Sequence, residues 1–211
     1  SWVNNITMVA QDWGGPISAV MAARLPSRIH GAVFANTAIA QPQAPLRVTS
    51  FHRFCNLPLA SDLAFKVLNF PVPILHKVQG DPKSIGKLEK RAYAWPLRHW
   101  KNRIAPLALA RMVPTTLDHP TVAVAAESEN WARHFTGPVE LVWGKRDPIL
   151  GPALKRTKVL FPKAPVTETR AGHFLQGSTA TTGRCHSAGG QSTLRFPSTP
   201  HPDPLPQGER E

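Results

Sequence analysis

The stretch AQDWGGP, residues 10–16, follows a short apolar run and precedes an Ala-rich segment. The change from a strand-like to a helix-like pattern of apolar residues at this turn predicts a strand over residues 6–11 and a helix from Pro16 to about Leu25. A second apolar run, residues 31–36, predicts a further strand. Because a strand, a helix and a strand in this order are typical of a parallel sheet, the sequence predicts an α/β protein.

Asp12 stands at the centre of the predicted turn. A residue held at a strained strand-to-helix turn has its side chain pushed out above the sheet, and the turn requires small residues two positions to either side. Ala10 and Gly14 meet that requirement. A carboxylate is ionised at neutral pH and can attack a saturated carbon that bears a leaving group without the help of a base. Asp12 is therefore a candidate nucleophile, and its attack would leave an ester on the protein.

Hydrolysis of such an ester requires a water molecule activated by a histidine and an acid that orients the histidine. Strand character returns at residues 139–143, shortly before Asp147, and again at residues 165–169, shortly before His173. The carboxyl ends of parallel strands meet at one edge of a sheet. We therefore expect Asp147 and His173 to lie close to Asp12.

The motifs around these three residues resemble those of a known family. Gln-Asp-Trp-Gly-Gly at 11–15, Val-Trp-Gly-Lys-Arg-Asp-Pro at 142–148 and Ala-Gly-His-Phe-Leu-Gln at 171–176 are similar to the nucleophile, acid and histidine motifs of haloalkane dehalogenases, which have the α/β-hydrolase fold. The resemblance covers residues 1–176. It implies a small-molecule haloalkane substrate and water as reactants, and neither a cofactor nor a metal.

The resemblance also implies a role for each residue. Asp12 would be the nucleophile, His173 the base and Asp147 its partner. Trp13 would donate its indole N–H to the departing halide, and its backbone N–H would form part of the oxyanion hole during ester hydrolysis. The second halide donor of the family is left open, because the early asparagine of some members is absent and three tryptophans could replace it: Trp95, Trp100 and Trp131. We expect Trp143, within a strand, to pack in the core.

The pattern of elements divides the chain into four parts. The middle part is rich in proline and predicted to be helical around residues 61–69 and 104–112, and a helix-like stretch follows at 151–160. After residue 176 Gly, Ser, Thr and Pro dominate, so that segment contains too little apolar surface to offset its ordering entropy. We expect an α/β-hydrolase core over 1–37, a helical cap over 38–137, a second core segment over 138–176 and a disordered, non-native tail over 177–211.

Measured against the family pattern, strands are missing before Ile6 and a last helix is missing after Gln176. We therefore expect a truncated form of a hydrolase, with weak activity or none.

Epoxide hydrolases are the alternative, because they share the Asp nucleophile, the neighbouring Trp and the Asp–His pair, and their substrates would be epoxides. They activate the epoxide oxygen with tyrosine hydroxyls, usually two. Tyr93 is the single tyrosine of this chain, which makes this alternative weaker.

The formal net charge of +12 raises a non-enzymatic alternative, a basic binding protein. Basic and aromatic side chains alternate between Lys83 and Arg103, a mixture that can bind single-stranded nucleic acid. A solvated helical face whose aromatic side chains point inward explains the same pattern, and no known nucleic-acid-binding motif accompanies the charges. We therefore expect no nucleic acid partner.

The apolar runs are all far shorter than the roughly 20 residues that a membrane-spanning helix needs. Cys55 and Cys185 lie far apart and without a Cys-x-x-Cys spacing, so the sequence predicts neither a disulfide framework nor a zinc site. We expect a soluble, cytoplasmic protein with no membrane partner.

Overall fold

The computed structural model describes residues 4–44, 49–78 and 85–175, together with the backbone of 182–187 and 190–195. Four parallel strands form one sheet in the order β1-β2-β3-β4. Their bounds are β1, Ile6–Gln11; β2, Ile29–Ala35; β3, Val139–Gly144; and β4, Val166–Thr169. The α/β architecture predicted from the sequence, and each of its four strands, is therefore confirmed.

Burial along the strands follows their position in the sheet. The two central strands β2 and β3 are buried along almost their whole length, as expected for parallel strands covered on both faces. β1 lies at one edge of the described sheet, and its burial alternates: Met8 and Ala10 are buried, whereas Thr7 and Val9 are exposed. β2 pairs in parallel with β1 and β3 and so fixes the register of both neighbours.

Eight α-helices are described among these residues. They are α1, Gly14–Arg24; α2, Ser50–Cys55; α3, Ala60–Lys66; α4, Leu75–Val78; α5, Lys87–Ala94; α6, Ile104–Arg111; α7, Pro120–His134; and α8, Leu154–Leu160. The helices predicted near 16–25, 61–69, 104–112 and 151–160 correspond to α1, α3, α6 and, after a short 3-10 turn at Gly151–Ala153, α8.

The main core lies between the sheet and the helices α1, α7 and α8. Phe34 of β2 stacks on Phe161 with 5.5 Å between ring centroids and meets Trp131 of α7 edge-on. A second, smaller core within the helices that separate β2 from β3 is formed around Cys55, Phe65 and Leu107. The middle of the chain thus has its own apolar contacts, while α7 packs against α1 beside the sheet.

The aromatic side chains between Lys83 and Arg103 do not all point inward, so that expectation is wrong for two of them. Trp95 is 59% exposed and Trp100 is 64% exposed. Both begin 3-10 helices, Trp95–Leu97 and Trp100–Arg103, so the α-helical period of α5 does not continue through them. The Arg98 guanidinium lies over the Trp95 ring, 4.4 Å from its centroid. Lys83 lies outside the described residues.

The structure differs from the expectation of disorder within residues 177–211. The strands β5, Thr182–Ser187, and β6, Gly190–Arg195, pair antiparallel. Backbone hydrogen bonds across a two-residue connection need no apolar core, so apolar content alone does not predict them. The rest of that segment lies outside the described residues. Among the helices of the described part, none has the length and apolar character needed to cross a bilayer.

Candidate active site

Asp12 occupies a strained turn between β1 and α1. Its φ of 50° is in the left-handed region, which non-glycine residues rarely adopt. Three hydrogen bonds hold the turn: the Asp12 N–H donates to the Asn36 carbonyl over 3.0 Å, and the Asp12 carbonyl accepts from the Thr37 hydroxyl over 2.6 Å and from the Gly15 N–H over 3.1 Å. A Cβ at Gly14 would lie 3.8 Å from the Ala10 Cβ, an ordinary contact, whereas a Cβ at Gly15 would overlap Thr37 Oγ1, so the turn requires glycine at position 15.

Asp147 and His173 form a buried pair. His173 Nδ1 lies 2.9 Å from Asp147 Oδ2, and the Asp147 side chain is fully shielded from solvent. The backbone N–H groups of Ile149 and Leu150 donate to Asp147 Oδ1 over 2.8 and 3.0 Å. The carboxylate is thus held in one orientation and directed at the imidazole.

The other ring nitrogen of His173 faces Asp12. His173 Nε2 lies 3.7 Å from Asp12 Oδ2, and the Asp12 side chain is 46% exposed. The structure therefore brings together the three residues that the sequence motifs single out. A solvent-accessible carboxylate, an imidazole and a buried carboxylate follow one another in line.

Asn36 was not predicted as a site residue, yet it is fully buried at the centre of this arrangement. Its Nδ2 donates to Asp147 Oδ2 over 2.8 Å and to the Gly172 carbonyl over 3.1 Å. Its Oδ1 accepts from the Gly144 N–H over 2.8 Å. A signal was present in the sequence, since Asn36 is a carboxamide directly after the apolar run of β2, at the same sheet edge as Asp12 and Asp147.

The loop that carries His173 passes close over the end of β3. A Cβ at Gly144 would lie 2.5 Å from the Gly172 carbonyl oxygen and 2.7 Å from that of Ala171. These separations are below van der Waals contact, so only glycine allows the loop to lie so near. The Arg146 N–H also donates to the Ala171 carbonyl over 3.0 Å.

Comparison with known proteins decides the family. The α/β-hydrolase fold family matches residues 3–178 of the chain. The chain belongs to the α/β-hydrolase fold family. Its curated relatives include cis-3-alkyl-4-alkyloxetan-2-one decarboxylase of Shewanella oneidensis, 28% identical over 176 aligned residues, with 81% of this chain and 55% of that protein covered. They also include haloalkane dehalogenase 1 of Mycobacterium tuberculosis, 28% identical over 191 residues, with 86% of this chain and 60% of that protein covered.

Solved structures show the same fold for this α/β hydrolase. Haloalkane dehalogenase DatA from Agrobacterium tumefaciens C58 superimposes with a TM-score of 0.69 at 21% identity, over 82% of this chain and 61% of that one. Haloalkane dehalogenase DbeA from Bradyrhizobium elkani USDA94 gives 0.69 at 19% identity, over 82% and 62%. The predicted fold and the resemblance to haloalkane dehalogenases are confirmed, and the chain spans 55–60% of the length of the two curated relatives.

The charges of the site oppose the effect of burial on both titrating partners. Burial by itself raises the pKa of Asp147, but the hydrogen bond and charge of His173, with the N–H groups of Leu150 and Ile149, outweigh it and lower the pKa. Burial lowers the pKa of His173, but hydrogen bonding and the charges of Asp12 and Asp147 outweigh it and raise the pKa to about 9. In this α/β hydrolase the site therefore favours a protonated His173 beside an ionised Asp147.

Trp13 follows Asp12 and precedes the first turn of α1. Its side chain is half-buried. Its indole N–H has no hydrogen-bond partner among the residues that the structure describes.

The other tryptophans of this α/β hydrolase are placed differently. Trp131 lies in the main core, where its ring packs 4.8 Å from that of Phe135. Trp95 and Trp100 are mostly exposed, so no second halide donor is assigned. Trp143 packs in the core as predicted, and its Nε1 donates to the carbonyls of Leu150 and Gly151, which braces the loop after Asp147.

The curated relatives favour neither an epoxide hydrolase nor a basic binding protein. Tyr93, the tyrosine on which the first alternative rests, has its ring 5.2 Å from that of Phe174, beside His173.

Proposed function

We propose that this α/β hydrolase displaces halide from haloalkanes through an ester on Asp12. The observation that carries the proposal is the line of three side chains, with 3.7 Å between Asp12 and His173 and 2.9 Å between His173 and Asp147. The proposal is supported by the resemblance of the motifs to those of haloalkane dehalogenases. It is also supported by the haloalkane dehalogenases among the curated relatives and the solved structures. Asp12 is the nucleophile, His173 the base and Asp147 the residue that orients the base.

The first step forms a bond between an Asp12 carboxylate oxygen and the substrate carbon, while the carbon–halogen bond breaks. The carboxylate is exposed and needs no base for this attack. The halide leaves with the bonding electrons, and the free indole N–H of Trp13 donates to it. Stabilising the charge as it develops on the halide lowers the barrier of this step.

The second step is hydrolysis of the ester. The charges of the site determine when His173 becomes a base for this step. Once Asp12 is esterified, one of the two negative charges that raise the pKa of His173 is gone. The pKa of the ring then falls, and the ring releases its proton to solvent and becomes a base. It takes a proton from a water molecule as that water attacks the ester carbonyl.

The products then follow with atoms and charges in balance. The ester bond breaks, the second proton of the water ends on the alcohol, and Asp12 is again a carboxylate. The proton on His173 restores the resting state of the site.

A second candidate reaction comes from the relative that decarboxylates cis-3-alkyl-4-alkyloxetan-2-ones, which matches this chain at the same 28% identity. An oxetan-2-one is a four-membered cyclic ester with a saturated ring carbon bonded to the ring oxygen. Attack by Asp12 on that carbon would open the ring with a carboxylate as the leaving group. Loss of carbon dioxide from that carboxylate would then form an alkene as the bond to Asp12 breaks, which restores the Asp12 carboxylate. The same nucleophile therefore serves both candidate substrates.

The two reactions are separated by their products. We expect at most weak bromide release from bromobutane by the 211-residue chain, and in an intact chain that carries the same residues we expect Asp12→Ala to reduce the release by about 10⁴ to 10⁶-fold. Asp118→Ala removes an exposed carboxylate in the middle part of the chain and serves as the matched control. Release of carbon dioxide from a 3,4-dialkyloxetan-2-one with no bromide release would favour the second reaction instead.

A further inference from the structure

Gln11 links the strand that carries Asp12 to the loop that carries His173. It is the last residue of β1, and its Nε2 donates to the His173 backbone carbonyl over 2.6 Å, across 162 positions of sequence. β1 and β4 lie at opposite edges of the described sheet. The loop after β4 therefore crosses the ends of β3 and β2 before it reaches Gln11.

The loop is held at three successive carbonyls by three different parts of the chain. The Ala171 carbonyl accepts from the Arg146 N–H, the Gly172 carbonyl from Asn36 Nδ2, and the His173 carbonyl from Gln11 Nε2. The first two partners follow β3 and β2. The bond from Gln11 attaches the far end of the crossing, at the residue that bears the imidazole.

This last attachment determines how His173 stands relative to Asp12. Asp147, itself held by Asn36, fixes the Nδ1 side of the ring, whereas Nε2 lies 3.7 Å from Asp12 Oδ2, beyond hydrogen-bond distance. A rotation of the loop about its Asp147 contact would move Nε2 toward or away from Asp12. Gln11 opposes that rotation because it ties the His173 backbone to the residue next to Asp12 in the chain.

We propose that Gln11 is a positioning residue that holds His173 at the distance from Asp12 required for ester hydrolysis. This inference rests on the proposed function. Halide displacement needs the Asp12 carboxylate and a halide donor, whereas hydrolysis needs water between His173 Nε2 and the ester carbon. Loss of the Gln11 bond therefore slows the second step and leaves the first unchanged.

The test compares Gln11→Met, which removes the donor at similar size, with Gln11→Glu, which replaces it by a charged acceptor. Gln43→Met and Gln43→Glu repeat both changes at an exposed glutamine. Each full chain is mixed with bromobutane, and the alkyl ester on the Asp12 peptide is followed by mass spectrometry. We expect ester formation at the wild-type rate and hydrolysis slowed by about 10²-fold in both Gln11 variants, as for a misplaced catalytic group.

Three results would overturn the proposal. Ester hydrolysis at the wild-type rate in Gln11→Met would be the first, since only an effect of the added charge in Gln11→Glu would then remain. Equal slowing of both steps together with a lower Tm would show a merely structural role. A slowing of the same size in the Gln43 variants would show that the effect is not specific to the His173 loop.

If the wild-type chain forms no ester, that result counts against the proposed function and not against the role of Gln11. A second measurement then tests the role of Gln11. The pKa of His173 is then followed by NMR of its ring protons in wild type, Gln11→Met and Gln43→Met. We expect a lower pKa in Gln11→Met, because Nε2 moves away from the Asp12 charge. Identical titration curves in the three proteins would overturn the role of Gln11.

Discussion

Asn36 donates a hydrogen bond to Asp147 over 2.8 Å, although 111 positions of sequence separate the two residues. The same carboxamide also binds the Gly172 carbonyl and the Gly144 N–H, and the Asn36 backbone carbonyl accepts from the Asp12 N–H. One buried side chain and its backbone thus connect the turn after β1, the end of β3 and the loop after β4.

Replacing Asn36 by Ala should destabilise the protein and lower its activity together. The change leaves the buried Gly144 N–H without a partner and removes one donor from Asp147, at a cost of about 1–3 kcal/mol of unfolding free energy. Urea unfolding followed by tryptophan fluorescence measures the loss. Asn56→Ala, which removes an exposed carboxamide bonded to the His52 carbonyl, is the control. Equal losses in the two variants would contradict the connecting role.

The raised pKa of His173 makes stability depend on pH. A folded-state pKa of about 9, above the ordinary 6.5, means that this histidine contributes stability in full below pH 6.5 and loses it as the pH rises through 9. We expect the difference in unfolding free energy between wild type and His173→Gln to shrink over that range. His99→Gln changes an exposed histidine and should keep the wild-type profile. A difference that is constant from pH 6.5 to 9.5 would contradict the prediction.

Trp13→Phe should weaken halide binding while the fold is retained. A hydrogen bond to a charged group contributes about 1.5–3 kcal/mol, so bromide release should slow by roughly 10 to 10²-fold. Bromide should quench part of the tryptophan fluorescence of the wild type and less of that of the variant. Trp100→Phe, in the exposed 3-10 helix, is the control. Quenching that is undiminished in Trp13→Phe would show that the halide binds elsewhere.

Gly144→Ala should displace the His173 loop. The added methyl group would lie 2.5 Å from the Gly172 carbonyl oxygen, and relief of such overpacking costs about 1–3 kcal/mol. Bromide release should fall with the stability. At Gly151 a Cβ would meet the Asp147 Cβ at an ordinary 4.0 Å, so Gly151→Ala is a matched control. Wild-type stability in Gly144→Ala would mean that the loop can move without cost.

The parts of the fold that follow from local sequence were predicted well. Apolar runs, turn residues and prolines mark β1 to β4 and the helix after Asp12. Such signals depend only on residues a few positions apart in the sequence. The exposed rings of Trp95 and Trp100 were not predicted, because two consecutive 3-10 helices interrupt the α-helical period there. The pairing of β5 with β6 depends on backbone hydrogen bonds, which composition does not report.

The candidate site shows the same division between local and long-range information. Asp12, Asp147 and His173 stand in recognisable motifs at strand ends, so the sequence alone pointed to them. Asn36 and Gln11 act through hydrogen bonds to residues more than 100 positions away. Their partners are known only once the loop after β4 has been placed across the sheet.

The way the middle part of the chain is attached has a consequence for the evolution and engineering of this protein. The Gln41 N–H is bound by Glu129 of α7 over 2.6 Å, so the chain is fastened to the helix beside the sheet just after it leaves β2. The helices α2 to α6 lie between these two points and share a small core of their own. The free-energy cost of bringing the two ends of a flexible segment together rises by only about 0.6 kcal/mol for each doubling of its length. The segment between these two points can therefore be lengthened, shortened or exchanged as a module while the residues at the strand ends stay in place.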